Sequence, residues 1–147
     1  MPDTFDADDV ARLRIALARV SRQLDRHSRG GALSGTQASV LASTAKHGPV
    51  RISDLAEHEG INPTMLSRIV AKLEDAGLVR RAADPLDGRA ALVETTEAGL
   101  DLHRTLRDER TRLLTDGLAA LPADRAAELL AALPALEALA QISTERA

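Results

Sequence analysis

The 147-residue sequence predicts a mainly α (α+β) fold of about six helices and one two-stranded β-hairpin. Three observations carry that expectation. Apolar residues recur at helical spacing over most of the chain. A short helical segment and a longer one are bracketed by paired start and stop signals. Two short segments rich in Val, Leu and Thr flank the Pro- and Gly-bearing turn in 83-ADPLDGRAALV-93. With 44% apolar and 28% charged residues, the chain has the composition of a globular domain and not of a disordered one.

Taken in order, residues 1–9 hold four aspartates and no base and are expected to form a flexible acidic tail. A helix is predicted over 10–27, where Val10, Leu13, Leu17, Val20 and Leu24 recur at alternating steps of three and four. So narrow a stripe suits a partner helix; burial in the chain's own core is the alternative. Gly30-Gly31 would end this segment, which spans 10–32. The run 34-SGTQ-37 is a capping box that opens a helix over 35–47, and Gly48-Pro49 stops it. A short helix follows in 53-SDLAEHE-59, with Ser53 as its expected N-cap. After Gly60, Asn62 and Pro63 signal the start of a helix over 63–76, and Gly77 is suited to close it. Its apolar face is expected to be Met65, Leu66, Ile69, Val70 and Leu73, and its polar face Thr64, Ser67, Arg68, Ala71, Lys72 and Asp75. Strands are predicted at Leu78–Ala82 and Ala91–Thr95. A long helix follows from about Thr96, then a last Leu/Ala-rich one after Pro122, which Pro134 should kink or split.

Composition removes several functions. Without cysteine there are no disulfides, cysteine zinc sites or thiol redox chemistry. His27, His47, His58 and His103 are scattered without ligand spacing, so no metal is expected. Phe5 is the sole aromatic residue, which argues against gripping single strands by base stacking. No run approaches the ~20 apolar residues of a membrane span, and the N-terminus lacks a basic start followed by an apolar block. A soluble, cytoplasmic protein with no membrane role is expected. There is no phosphate loop, GxSxG elbow or HExxH, so no enzyme and no cofactor are expected. Asp84 and Asp87 lie in a turn that reads as exposed, with no pocket to perturb them as an acid/base pair.

A short helix, a glycine turn, a helix with a polar outer face and then a hairpin make a helix-turn-helix with a wing. The second of these helices is about 21 Å long and, with side chains, ~10–12 Å wide, which matches the DNA major groove. Pro63 starts it, and Thr64, Ser67, Arg68 and Lys72 are suited to base edges and phosphates. The net charge of −3 does not decide against DNA, because bases confined to one surface still bind phosphate. One helix in one groove covers few bases, so two copies across a dyad are expected, on a pseudo-palindromic operator. The rival reading is a dimeric winged-helix adaptor that binds protein, without sequence-specific DNA binding. It accounts for the acidic total but leaves Ser67, Arg68 and Arg89 without a use.

The run 65–99 resembles the MarR family of winged helix-turn-helix regulators. The family's L-E-x-x-G-L-V-x-R pattern appears as Leu73, Glu74, Gly77, Leu78, Val79 and Arg81. Its D-x-x-D-x-R wing appears as Asp84, Asp87 and Arg89, and its T-x-x-G helix start as Thr96 and Gly99. The resemblance is strongest over 33–99. It implies that 33–95 is a winged helix-turn-helix DNA-binding region, and that 10–32 and 96–147 interlock in a homodimer. It also implies a regulator, most often a repressor of nearby genes, that is released by a small aromatic or anionic effector. That effector binds between the dimer helices and the winged region, where Arg14, Arg22 and His47 are candidates. Arg89 would enter the minor groove, with Asp87 holding it extended through the guanidinium or the loop backbone. One departure is Gly88, where many relatives carry a second base; Arg80 and Arg81 on the hairpin stem are the candidates to compensate.

Overall fold

The computed structural model describes residues 5–27 and 33–145. In chain order it contains α1 (Ala7–His27), α2 (Gly35–His47), β1 (Val50–Arg51), α3 (Ile52–Glu59), α4 (Pro63–Asp75), β2 (Val79–Ala83), β3 (Ala91–Thr95), α5 (Glu97–Ala119), α6 (Ala123–Ala131) and α7 (Leu133–Glu145). The class is as expected, mainly helical with a small sheet. Residues 1–4 of the expected tail and the Gly30-Gly31 stop lie outside the described residues.

Several boundaries are corrected. The expected tail is already helical from Ala7: the Asp6 carboxylate accepts the Asp8 N–H at 2.8 Å, and Asp8 and Asp9 occupy the first turn. Acids there are favoured by the positive end of the helix dipole. The hairpin gains a third strand, giving an antiparallel sheet in the order β1-β3-β2. Val50 pairs with Val93 and Arg51 with Leu92, a strand of two residues too short to leave a periodic signal. That pairing also displaces the expected cap. The chain passes from β1 directly into α3 with Arg51 at the N-cap and no side-chain cap bond, while the Ser53 hydroxyl turns to the Asp54 carboxylate at 3.3 Å. The last predicted helix is split into α6 and α7, with Pro134 in the first turn of α7, where its missing N–H leaves no helical bond unmade.

The core is built by α2, α3, α4 and the sheet. Val40, Leu41, Val50, Leu55, Ala56, Leu66, Ile69, Val70, Leu73, Leu78, Val79 and Val93 are its buried members, with Leu33, Ile52, Ile61 and Leu102 packed against it. The capping box of α2 forms as read: Ser34 Oγ accepts the Gln37 N–H at 3.2 Å, and Gln37 Oε1 accepts the Ser34 N–H at 2.9 Å. The base of α5 is pinned to the end of α4. The Thr96 hydroxyl donates to Gly77 O at 2.6 Å and accepts the Gly99 N–H at 3.1 Å, while the Thr96 N–H donates to Leu78 O at 3.0 Å. A Cβ on Gly99 would stand 2.0 Å from Leu78 O, which explains the glycine of the T-x-x-G pattern.

Candidate nucleic-acid interface

Helix α4 is fixed at both ends by its own sequence. Asn62 Oδ1 accepts the Met65 N–H at 2.9 Å, and Pro63 occupies the first turn. At the other end Gly77 takes φ 73°. Its N–H reaches Glu74 O and the Leu78 N–H reaches Leu73 O, both at 2.9 Å. This paired-bond stop needs a left-handed residue. Leu66, Ile69, Val70 and Leu73 are buried against the core, which turns the opposite face outward. Thr64, Arg68 and Lys72 are exposed on it, Ser67 is half-buried at its flank, and Pro63 is exposed at the first position of the helix.

Met65 departs from the expected pattern. Its spacing groups it with the buried face, but it is 52% exposed. At 100° per residue, it lies roughly a quarter-turn from the centre of the Leu66, Ile69, Val70 and Leu73 stripe, too far round to be covered. With Ser34, Thr36, Gln37, Arg68, Ile69 and Lys72 it borders a recess of about 320 Å³ between the start of α2 and α4.

The wing is organised by its two aspartates. Asp84 Oδ1 accepts the Leu86 N–H at 2.8 Å, and Asp87 Oδ1 accepts the Arg89 N–H at 3.1 Å, so each carboxylate closes a turn on the backbone two residues on. Asp87 therefore acts on the loop backbone, one of the two roles expected for it. Asp84 does not sit in an exposed turn as the sequence implied: it is only 6% exposed. Its Oδ2 accepts from Arg51 Nε at 2.9 Å and from Arg51 Nη2 at 2.6 Å. The Leu86 N–H and then the Arg51 guanidinium hold the Asp84 carboxyl below the usual carboxylate range, and Asp84 in turn raises Arg51. A carboxylate held ionised in this way ties the wing to β1 and is unsuited to proton transfer. No local sequence signal marks Arg51, since 33 residues separate it from Asp84.

The remaining cations of α4 and the wing divide into two sets. Arg80 Nε donates to Glu94 at 2.6 Å and Arg81 Nε to Glu74 at 3.2 Å, so both stem arginines are held by acids. Arg68, Lys72 and Arg89 are exposed and form no ion pair among the described residues. Of the effector candidates, Arg14 and Arg22 are exposed on α1. His47, the last residue of α2, stacks on His58 with ring centroids 4.1 Å apart. An apolar cleft of about 530 Å³ lies between α1, α5 and α6, lined by Val20, Leu24, Leu113, Leu118 and Leu129 among others, and by none of the three candidates. No described helix is long and apolar enough to cross a membrane.

Comparison with known proteins agrees with this geometry. A model of the MarR family matches residues 33–91. An uncharacterized HTH-type transcriptional regulator of Mycobacterium bovis is 36% identical over 116 residues, 79% of this chain and 81% of that protein. The HTH-type transcriptional repressor MdtR of Bacillus subtilis is 32% identical over 63 residues, 43% of this chain and 41% of its own. Among solved structures, one from Pseudomonas aeruginosa described as a transcriptional regulator matches with a TM-score of 0.82 at 30% identity, covering 95% of this chain and 99% of that one. With the capped recognition-type helix and the D-x-x-D-x-R wing both in place, the chain belongs to the MarR family of winged helix-turn-helix transcriptional regulators.

Proposed function

We propose that this chain is a homodimeric, sequence-specific regulator of double-stranded DNA, with α4 in the major groove and Arg89 in the adjoining minor groove. The observation that carries the reading is the division among its cations. The stem arginines are neutralised within the protein, whereas Arg68, Lys72 and Arg89 are exposed and without an acidic partner among the described residues. Arg68 suits the paired acceptors of guanine, the hydroxyls of Thr64 and Ser67 suit any base, and Lys72 suits phosphate. A narrow minor groove attracts the Arg89 guanidinium through its enhanced negative potential. The turn closed by Asp87, and behind it the Asp84–Arg51 pair, order the wing before DNA arrives, which leaves more of the contact energy for binding.

A second copy is supported by what the arms leave uncovered. Val10, Leu13, Leu17 and Val20 on α1, and Leu114, Leu121, Leu129 and Leu133 on α5 to α7, are exposed. In this reading 10–32 and 96–147 form the dimer arms and 33–95 the DNA-binding unit, with half-sites about 10–10.5 bp apart. Repression of nearby genes is supported by family membership and by the likeness to the repressor MdtR. Release would come from a small aromatic or anionic effector seated near Arg14, Arg22 and His47. An effector that prefers the DNA-incompetent spacing by about 1.4 kcal/mol lowers affinity tenfold.

Duplexes selected from a random library, followed by fluorescence anisotropy, test the reading. Affinity is expected to fall steeply with salt through counterion release. Arg68→Ala is expected to cost about 1–3 kcal/mol and relax preference at one base position. Arg89→Ala is expected to weaken sites with A·T flanks more than sites with G·C flanks. Failure to retain any duplex at low salt would remove the proposal.

A further inference from the structure

Met65 is an apolar side chain in a polar setting. It is the third residue of α4, is 52% exposed, and borders the same recess as Thr36, Gln37, Arg68 and Lys72. The core of the winged unit does not use it: Leu66, Ile69, Val70 and Leu73 already complete the buried stripe of the helix. Its place near the N-terminal end of α4 is where the side chains of a recognition helix meet base edges. Its neighbours on that face, Thr64, Arg68 and Lys72, end in hydroxyl and cationic groups, so Met65 is the long apolar side chain among them. Of the groups that base pairs present in the major groove, the thymine C5-methyl is the apolar one. A thioether is flexible and polarisable and fits itself to such a surface. Arg68 and Lys72 beside it fix the partner's class through charge, since a surface bordered by unpaired cations favours a polyanion over an apolar protein patch.

Resting on the DNA reading above, we infer that Met65 is a specificity-determining residue that recognises a thymine methyl group within each half-site. The contact removes one methyl group and the exposed thioether from water together, so it discriminates thymine from cytosine and from uracil at that position. Arg68, one turn further along α4, reads its own base independently.

The test replaces each thymine of a selected high-affinity duplex in turn by deoxyuridine, which deletes only the methyl group. Anisotropy titrations are then run with the wild-type protein and with Met65→Ala. For the wild type, one symmetry-related thymine is expected to lose about fourfold in affinity on substitution, the value of a single buried methyl group. With Met65→Ala, thymine and deoxyuridine duplexes are expected to bind alike at that position, while the preference read by Arg68 is kept. Thermal denaturation of Met65→Ala is expected to match the wild type, because half of the side chain is already in water. A wild-type protein indifferent to every deoxyuridine, or a loss of the same size in wild type and variant, would overturn the assignment while leaving the DNA reading intact. Absence of binding to any duplex would remove both.

Discussion

From Leu33 to Thr95 the large apolar side chains are enclosed or half-enclosed with two exceptions, Met65 and Leu86, which lie on the helix and the wing proposed to meet DNA. In α1, α6 and α7 no described residue is buried, and α5 buries only Gly99 and Leu106. The winged unit thus satisfies its own hydrophobic pattern, whereas the arms carry an equally regular pattern that is covered only in part: Leu24, Leu113 and Leu118 are half-buried, and Val10, Leu13, Leu17 and Val20 are exposed. Periodicity records that a face is to be covered; it does not say by which chain. The seam on α1 has the three-and-four spacing of a helix-to-helix contact, and this difference in burial is why a second copy is its proposed occupant.

The contrast is broken or sharpened by three substitutions. The largest effect is expected in the winged core. Leu66 is fully buried, and Leu66→Ala should lower stability by about 2–5 kcal/mol, read by urea or thermal denaturation and independent of protein concentration. In the arms, Leu17→Ala should leave the winged unit intact and raise the dimer dissociation constant by roughly tenfold, measured by sedimentation equilibrium. If Leu17→Ala lowered stability equally at all concentrations, the two regions would not differ as described. The smallest effect concerns the wing. Because the folded-state pKa of Asp84 is depressed, the stabilisation it brings is present above the ordinary carboxylate pKa and is lost as pH falls through the folded value. The melting temperature of the wild type should therefore drop more steeply below about pH 4 than that of Asp84→Asn, which should be less stable at neutral pH. Parallel curves would mean that the ionised Asp84 carboxylate, held by the Leu86 N–H and by Arg51, contributes nothing.

What was legible in the sequence was local. The Ser34–Gln37 box, the Asn62-Pro63 start and the Gly77 stop each depend on residues within a turn of one another, and each forms as the spacing requires. What escaped was set by tertiary pairing. Ser53 was displaced as a cap because Arg51 pairs with Leu92, far along the chain. Asp84 reads as an exposed turn residue because its partner Arg51 lies on another strand. Met65 reads as part of the apolar face because an apolar residue beside an apolar stripe looks continuous with it; only the packed neighbours settle where the stripe ends. The same distinction applies to the site. The residue types on α4 were readable from spacing, but the division between neutralised and free arginines needed the positions of Glu74 and Glu94.

The Thr96 hydroxyl, shared between Gly77 and Gly99, has a mechanical consequence. With the backbone of Leu78 against Gly99, the segment that closes α4 and the first turn of α5 meet with no room for a side chain between them. A side chain at position 99 would have to force that joint apart, so the placing of α5 and the closing of α4 are set together.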